Sequence, residues 1–483
     1  MTDWERLVGD FSQLGAGVSL APANIPQPRS IIHAGWINGV MGYGALPNVP
    51  KTAGLIRGTR DITVSLDGAL QALPGIVEVE DVSPRTLLWL FQQVSLDYTT
   101  ELFAIDPPYF GYKRTAGFNW INAGIASTGV VGWNALDVAG TLLFSNGEDA
   151  AYIREANAAV VTDISTQVVA RTFAAAFGRV FAGSYVEAGT YQALGVRWNA
   201  ANGSVADWTT SGANAELLIA DTNQADRVMA LRPIGFDALG VLCRASLWLG
   251  YPTQDPNRPA DFRLRVAGVG CVSERTACAT PWGICFLSDE GVCLFDTNGL
   301  KLISDPINTD LLPLDTARSR FYKALYDPIV RRYVLAAPDG TTWIYEFEHE
   351  LYPGKWLKRI TSGIDAIVLF SSQSDDIIWR NAVGTWAQQT LTWEQEILAP
   401  DDAPPEVYYS RGPLLAKEEP FLLDFLGDPL VPTWDTPETL AEVETQNVTT
   451  VAFELEYGLR DSNAAQIRLS LMDSSGDVVG GTA

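Results

Sequence analysis

Histidine is nearly absent from this chain: there are two in 483 residues. That scarcity leaves little room for catalysis built on an imidazole base or for metal sites built on several imidazoles. Cysteine is also scarce, and its count of five is odd, which argues against a disulfide framework. Cys271, Cys278, Cys285 and Cys293 fall close together, apart from Cys243. They lack the short paired intervals of zinc ligands, and neither His33 nor His349 is near them. Cys285 and Cys293 lie in apparent strands, where a thiol packs as a small apolar group. No apolar run reaches the ~18 residues of a spanning helix, so no membrane-spanning segment is expected. The opening M-T-D-W-E-R-L-V-G-D has no basic region ahead of an apolar core, so no secretory signal is expected.

Positive charge is in deficit as well. Lys and Arg number 33 against 57 Asp and Glu, a formal charge of -24. Such a surface keeps a protein soluble and repels phosphate backbones. A protein that grips nucleic acid carries the opposite sign. The acidity therefore reads in two ways: as plain solubility, or as a surface that nucleic acid passes without sticking.

Reaction motifs are missing too. There is no G-x-x-x-x-G-K-[ST] loop, no H-E-x-x-H and no G-x-S-x-G elbow. His33 sits in I-I-H-A-G-W, in an irregular arm, and His349 in E-F-E-H-E, whose acids favour the protonated ring. Glycan-cleaving propellers use paired carboxylates in a central cleft. Their repeat, S-x-D-x-G-x-x-W, occurs here only in degenerate forms such as A-P-D-G-T-T-W at 337–343. Asp-Gly there, and D-T-N-G at 296–299, read as turn formers. The sequence therefore assigns no catalytic, cofactor-binding or metal residue, and no cofactor.

What is present is a succession of short strands. W-G-I-C-F-L-S-D-E-G-V-C-L-F-D-T-N-G (282–299) reads strand, tight turn, strand, turn. Y-D-P-I-V-R-R-Y-V-L-A-A-P-D-G-T-T-W-I-Y-E-F (326–347) repeats the unit. Strands are expected at 86–94, 101–105, 110–114, 130–138, 141–145, 151–154, 168–177, 180–185, 194–198, 227–233, 239–248 and 262–266, with a protruding loop at 252–259. Trp recurs through the region, and a large aromatic can fill the wedge between neighbouring sheets. The fold class is all-β. Units of ~40 to 50 residues point to a β-propeller of six to seven blades, with seven favoured. The organisation expected is an extended, proline-rich N-terminal arm (1–60), a propeller body (61–397), a Pro- and acid-rich linker (398–410) and a small C-terminal β-domain (411–483).

The order of motifs narrows this further. F-G-R-V-F-A-G (177–183) is followed by V-R-W-N (196–199) and D-W (207–208). F-L-S-D-E-G-V (286–292) comes next, then Y-D-P with Y-V-L (326–335), W-I-Y-E-F (343–347) and G-K-W (354–356). Over roughly 85–400 this succession resembles the tail nozzle proteins of short-tailed bacteriophages, also called tail hub or DNA-stabilisation proteins. The resemblance implies a structural virion protein, not an enzyme, assembled in the host cytoplasm into the phage tail. It implies a homohexameric ring below the portal-adaptor complex that extends or closes the genome exit channel, with tail fibres or a needle attached nearby. Viral DNA would pass through without sequence-specific binding. The short C-terminal part with its Gly-rich end departs from that pattern. Two other readings stay open: a distal tail or receptor-binding protein on a propeller, and a glycan-binding or glycan-cleaving propeller enzyme.

Overall fold

The computed structural model describes residues 75–419 apart from short stretches, of which 126–131, 219–225, 348–353 and 371–405 are the longest, and a few short strands within 42–72 and 424–435. The expected arm and most of the expected C-terminal β-domain lie outside the described residues, as do both histidines.

Seven sheets follow one another along the chain and make a seven-bladed β-propeller. Blade 1 holds Trp89–Val94, Thr100–Asp106, Tyr109–Lys113 and Asn119–Asn122. Blade 2 holds Asn134–Val138, Thr141–Ser145, Ala151–Glu155 and Thr162–Asp163. Blade 3 holds Val169–Ala176, Arg179–Glu187, Thr190–Trp198 and Asn214–Leu217. Blade 4 holds Val228–Ile234, Ala238–Cys243, Ser246–Pro252 and Ala260–Ala267. Blade 5 holds Cys278–Thr280, Gly283–Ser288, Gly291–Phe295 and Leu300–Leu302. Blade 6 holds Lys323–Asp327, Arg332–Ala336, Thr341–Glu346 and Lys355–Ile360. Blade 7 orders Ala366–Phe370, Glu406–Arg411, Leu414–Glu419 and Gly75–Asp81, with two short strands beyond.

The turns explain the hairpins. Ala139 and Gly140 both take positive φ (49° and 85°), the twist that a two-residue hairpin demands. Asn146 Oδ1 accepts from Glu148 N (3.0 Å) and Ala150 N (3.1 Å), folding the chain back before the third strand of blade 2. Asp327 Oδ1 does the same for Ile329 N at 2.9 Å.

The chain divides into two compact units, residues 78–342 with 361–417, and residues 1–77 with 343–360 and 418–483. In the first, the opening strands of the seven blades neighbour one another in a closed ring, the seventh beside the first. Apolar clusters fill the wedges between blades. Phe181, Trp198, Val241 and Trp248 pack between blades 3 and 4. Leu247, Leu249, Ile284 and Phe286 pack between blades 4 and 5. Leu102, Ala366, Phe370 and Tyr408 join blade 7 to blade 1. In the second unit, Tyr345 packs on Trp356 with ring centroids 5.0 Å apart, and Arg359 Nη1 meets Glu418 Oε1 at 3.0 Å.

Two expectations differ from the observed strands. The run 239–248 is two strands, Ala238–Cys243 and Ser246–Pro252, joined at Arg244 and Ala245. Both strands are buried along most of their length, so the apolar run continues through a turn that carries no Gly, Pro, Asn or Asp. Residues 406–411, placed at the linker's end by composition, form the second strand of blade 7, paired with Ala366–Phe370.

Candidate functional site

The residues that drew chemical readings from the sequence have structural partners. Asp339 Oδ1 accepts from Thr341 N at 2.8 Å, and Asp296 Oδ1 accepts from Asn298 N (2.6 Å) and Gly299 N (2.9 Å). Both are turn carboxylates, as expected. Cys243, Cys271, Cys285 and Cys293 are buried and Cys278 is half-buried, all as free thiols. Burial pushes the Cys271 and Cys278 thiols up to about 12 and that of Cys293 up to about 11. A thiolate is the reactive and ligating form, so these groups are inert at neutral pH. Among the described residues no group of three or more His, Cys, Asp or Glu converges as a metal site.

Two hollows lie on the first unit. One of about 360 Å³ is lined by Val138, Phe177, Arg179 and Asn199 among others. A second of about 510 Å³ includes Tyr185, Glu187, Arg197 and Trp208. Glu187 is the one carboxylate lining either, so neither hollow brings together the carboxylate pair of a glycosidase.

The most organised polar feature lies on the propeller axis. The connection from blade 4 to blade 5, residues 268–277, holds partners from blade after blade. Cys271 N donates to Cys243 O of blade 4 (2.8 Å), and Val272 N to Leu287 O of blade 5 (2.9 Å). Ser273 Oγ donates to Tyr322 O, just ahead of blade 6, at 3.0 Å. The Tyr333 hydroxyl of blade 6 donates to Thr276 O at 2.9 Å. Glu274, buried, accepts from Arg171 Nε of blade 3 at 2.7 Å. Arg275 stands 4.4 Å from the Trp89 ring of blade 1, and its Nη2 reaches Leu88 O (3.4 Å) and Asp365 O (3.3 Å), ahead of blades 1 and 7. Gly132, ahead of blade 2, completes the circle: a Cβ there would lie 2.9 Å from the Trp89 ring and 3.3 Å from Glu274 Oε1. Through its backbone and the side chains of Glu274 and Arg275, this one segment reaches residues in, or just ahead of, all seven blades.

Cations gather around this segment. Lys323, buried, donates its Nζ to Ile364 O (2.6 Å) and Asp365 O (2.8 Å). Burial, with Arg275 adding to it, draws this amine down to about 7. Burial likewise lowers Arg275 to about 10, still charged at neutral pH. Burial works against the charge of Arg171 as well, but the Glu274 carboxylate and the Tyr191 hydroxyl together more than offset it and leave that guanidinium raised. Arg171, Arg227, Arg275 and Lys323 gather here with the carboxylates of Glu274 and Asp365 among them, and burial works against the charge of each cation. Sequence alone does not mark this cluster. The signal was faint: E-R-T at 274–276 in the one inter-blade connection flanked closely by cysteines.

No family model matches the chain, and no curated protein matches it. Solved structures with a similar fold include Raptor from Chaetomium thermophilum, at 9% identity and a TM-score of 0.39 over 75% of this chain and 30% of that one. BamB from Moraxella catarrhalis is similar at 8% identity and a TM-score of 0.35, over 68% of this chain and 82% of that one. U3-55K is similar at 12% identity and a TM-score of 0.38, over 63% of this chain and 90% of that one. This chain spans less than a third of Raptor's length, and at these scores the likenesses carry no function across.

Proposed function

We propose that this chain is a structural subunit of a short-tailed bacteriophage tail, of the nozzle or hub kind. Copies form a six-fold ring below the portal-adaptor complex, and the genome leaves through the space the copies enclose. The protein does no chemistry. Its value lies in rigid blades that hold loops out to neighbouring copies, to the adaptor ring and to tail fibres or a needle.

The observation that carries this reading is the axial segment 268–277, with partners in or beside every blade. A propeller whose seven blades are linked through one segment is a rigid block, suited to being one stave of a larger ring. On this reading DNA passes between copies and not through the blade axis of one. The order of motifs in the sequence supports the choice of family. The charge of -24 supports a lumen that does not hold phosphate, because repulsion is screened within ~8 Å at physiological salt while attraction would retain each contact.

The test is electron microscopy of the full chain mixed with portal and adaptor rings. The reading expects a six-copy ring stacked on the adaptor. Trimers that bind host-surface glycan would instead make it a receptor-binding tail protein. Saccharide cleavage lost on replacing a single carboxylate would make it an enzyme.

A further inference from the structure

The larger of the two hollows lies against blade 3 and has a polar wall that a ring subunit does not call on. Its volume is about 510 Å³, within the size range of small-molecule sites. Its floor is the sheet of Arg179–Glu187, Thr190–Trp198 and Asn214–Leu217. Tyr185 pairs with Gln192 and Glu187 with Thr190, which puts Tyr185, Glu187 and Gln192 on one face of that sheet.

The second strand departs from regular pairing to place Tyr185. The register with the third strand shifts between Gly183 and Tyr185, and Ser184, at the shift, takes a φ of 49°. Ser184 Oγ lies 2.6 Å from Ala193 O and 2.8 Å from Val228 O, which holds the shift in place. A bulge of this kind re-aims the side chain beside it. A Cβ on Gly195 would fall 2.4 Å from the Tyr185 ring, so glycine leaves the space that the ring takes. Burial and the Glu187 carboxylate raise the Tyr185 pKa against the effect of Arg197, so the phenol keeps a proton to donate. Arg197 is anchored from the other side. Its Nη2 donates to Trp208 O at 2.6 Å, and its guanidinium carbon stands 5.8 Å from the centre of the Tyr185 ring.

The wall therefore mixes an acceptor in Glu187, a donor in Arg197, and groups that do both in Gln192 and Tyr185. The charges of Glu187 and Arg197 cancel, which disfavours an anion or a cation as ligand. A sugar hydroxyl donates and accepts at once, and neighbouring hydroxyls match the two-atom ends of carboxylate, amide and guanidinium groups. Leu217, exposed at the rim, offers apolar surface to the C–H face of a sugar ring.

We propose that this hollow on blade 3 binds a neutral saccharide through Tyr185, Glu187, Gln192 and Arg197. The sugar is held and not cleaved, because hydrolysis takes a pair of carboxylates and Glu187 is the one that lines the hollow. The site is complete within one chain, so it stands or falls apart from the six-fold ring.

Saturation-transfer NMR of the full chain with glucose, galactose, N-acetylglucosamine and maltose tests this, with alanine as a zwitterionic comparison. The expected result is saturable transfer to at least one sugar and none to alanine. Glu187→Gln weakens that binding about tenfold, and Tyr185→Phe, which keeps the ring and loses the hydroxyl, about fivefold. Arg263→Gln, at an exposed guanidinium of blade 4, leaves it unchanged. Glu187 is exposed, so its replacement tests the site even if Tyr185→Phe fails to fold. Transfer to no sugar at millimolar concentration overturns the proposal. Transfer to alanine alone also overturns it, as does equal sugar binding by wild type and Glu187→Gln.

Discussion

Arg154 shows what a single residue contributes between blades. It is fully buried, its Nη1 lies 2.5 Å from Glu101 Oε2, and it also donates to Gln93 Oε1 and to Ala158 O. Glu101→Ala would leave that guanidinium buried without its counter-charge. The expected loss is about 3–5 kcal/mol, read as a lower urea midpoint at unchanged slope. Lys323 gives a pH signature. Its amine titrates near 7 in the folded chain against an ordinary 10.5. Between those values the unfolded chain holds a proton that the folded chain has released, so this residue's contribution to stability rises with pH across that window and is flat below it. Lys323→Met should flatten the rise, checked by urea midpoints at about pH 6 and about pH 9. At this scale the sequence was legible where chemistry is local. Cys285 and Cys293 read as packed thiols in strands, and both are. Glu101 and Arg154 did not show themselves, because their pairing joins strands 53 residues apart.

At the scale of the element, the segment across the axis depends on one close approach. A Cβ on Gly270 would fall 2.3 Å from both the Arg244 carbonyl carbon and Cys243 O. Those are backbone atoms and cannot swing aside. Gly270→Ala should push the segment off blade 4 at a cost of about 1–3 kcal/mol or more, seen as a lowered melting temperature. It should also speed amide exchange at Cys271 and Val272, whose N–H groups bond to blades 4 and 5. Strands and turns were readable from sequence because alternation and Asn-Gly or Asp-Gly pairs are local signals. The turn at Arg244 and Ala245 escaped because the strands on either side are apolar on both faces. The axial segment escaped for another reason: its partners come from blades far away in the chain.

For the whole molecule, the ring of blades closes through hydrogen bonds between its two ends. Val82 N donates to Pro413 O (3.0 Å), Leu87 N to Gly412 O (2.8 Å) and Ser410 Oγ to Leu87 O (2.5 Å). A chain truncated after residue 405 loses Glu406–Arg411, Leu414–Glu419 and the two short strands beyond them from blade 7, and should lose its cooperative thermal transition, measured by circular dichroism. Length and unit size pointed to six to seven blades with seven favoured, and there are seven. The seventh was the least legible, because its first two strands, Ala366–Phe370 and Glu406–Arg411, are separated by a long stretch that ends in a composition typical of linkers. The proposed role makes the space between copies, and not the blade axis of any one copy, the route for DNA. Electron cryo-microscopy of the purified full chain tests that most directly. Rings of six copies around an open lumen are predicted. Single propellers with an unobstructed channel through the blade axis would contradict it.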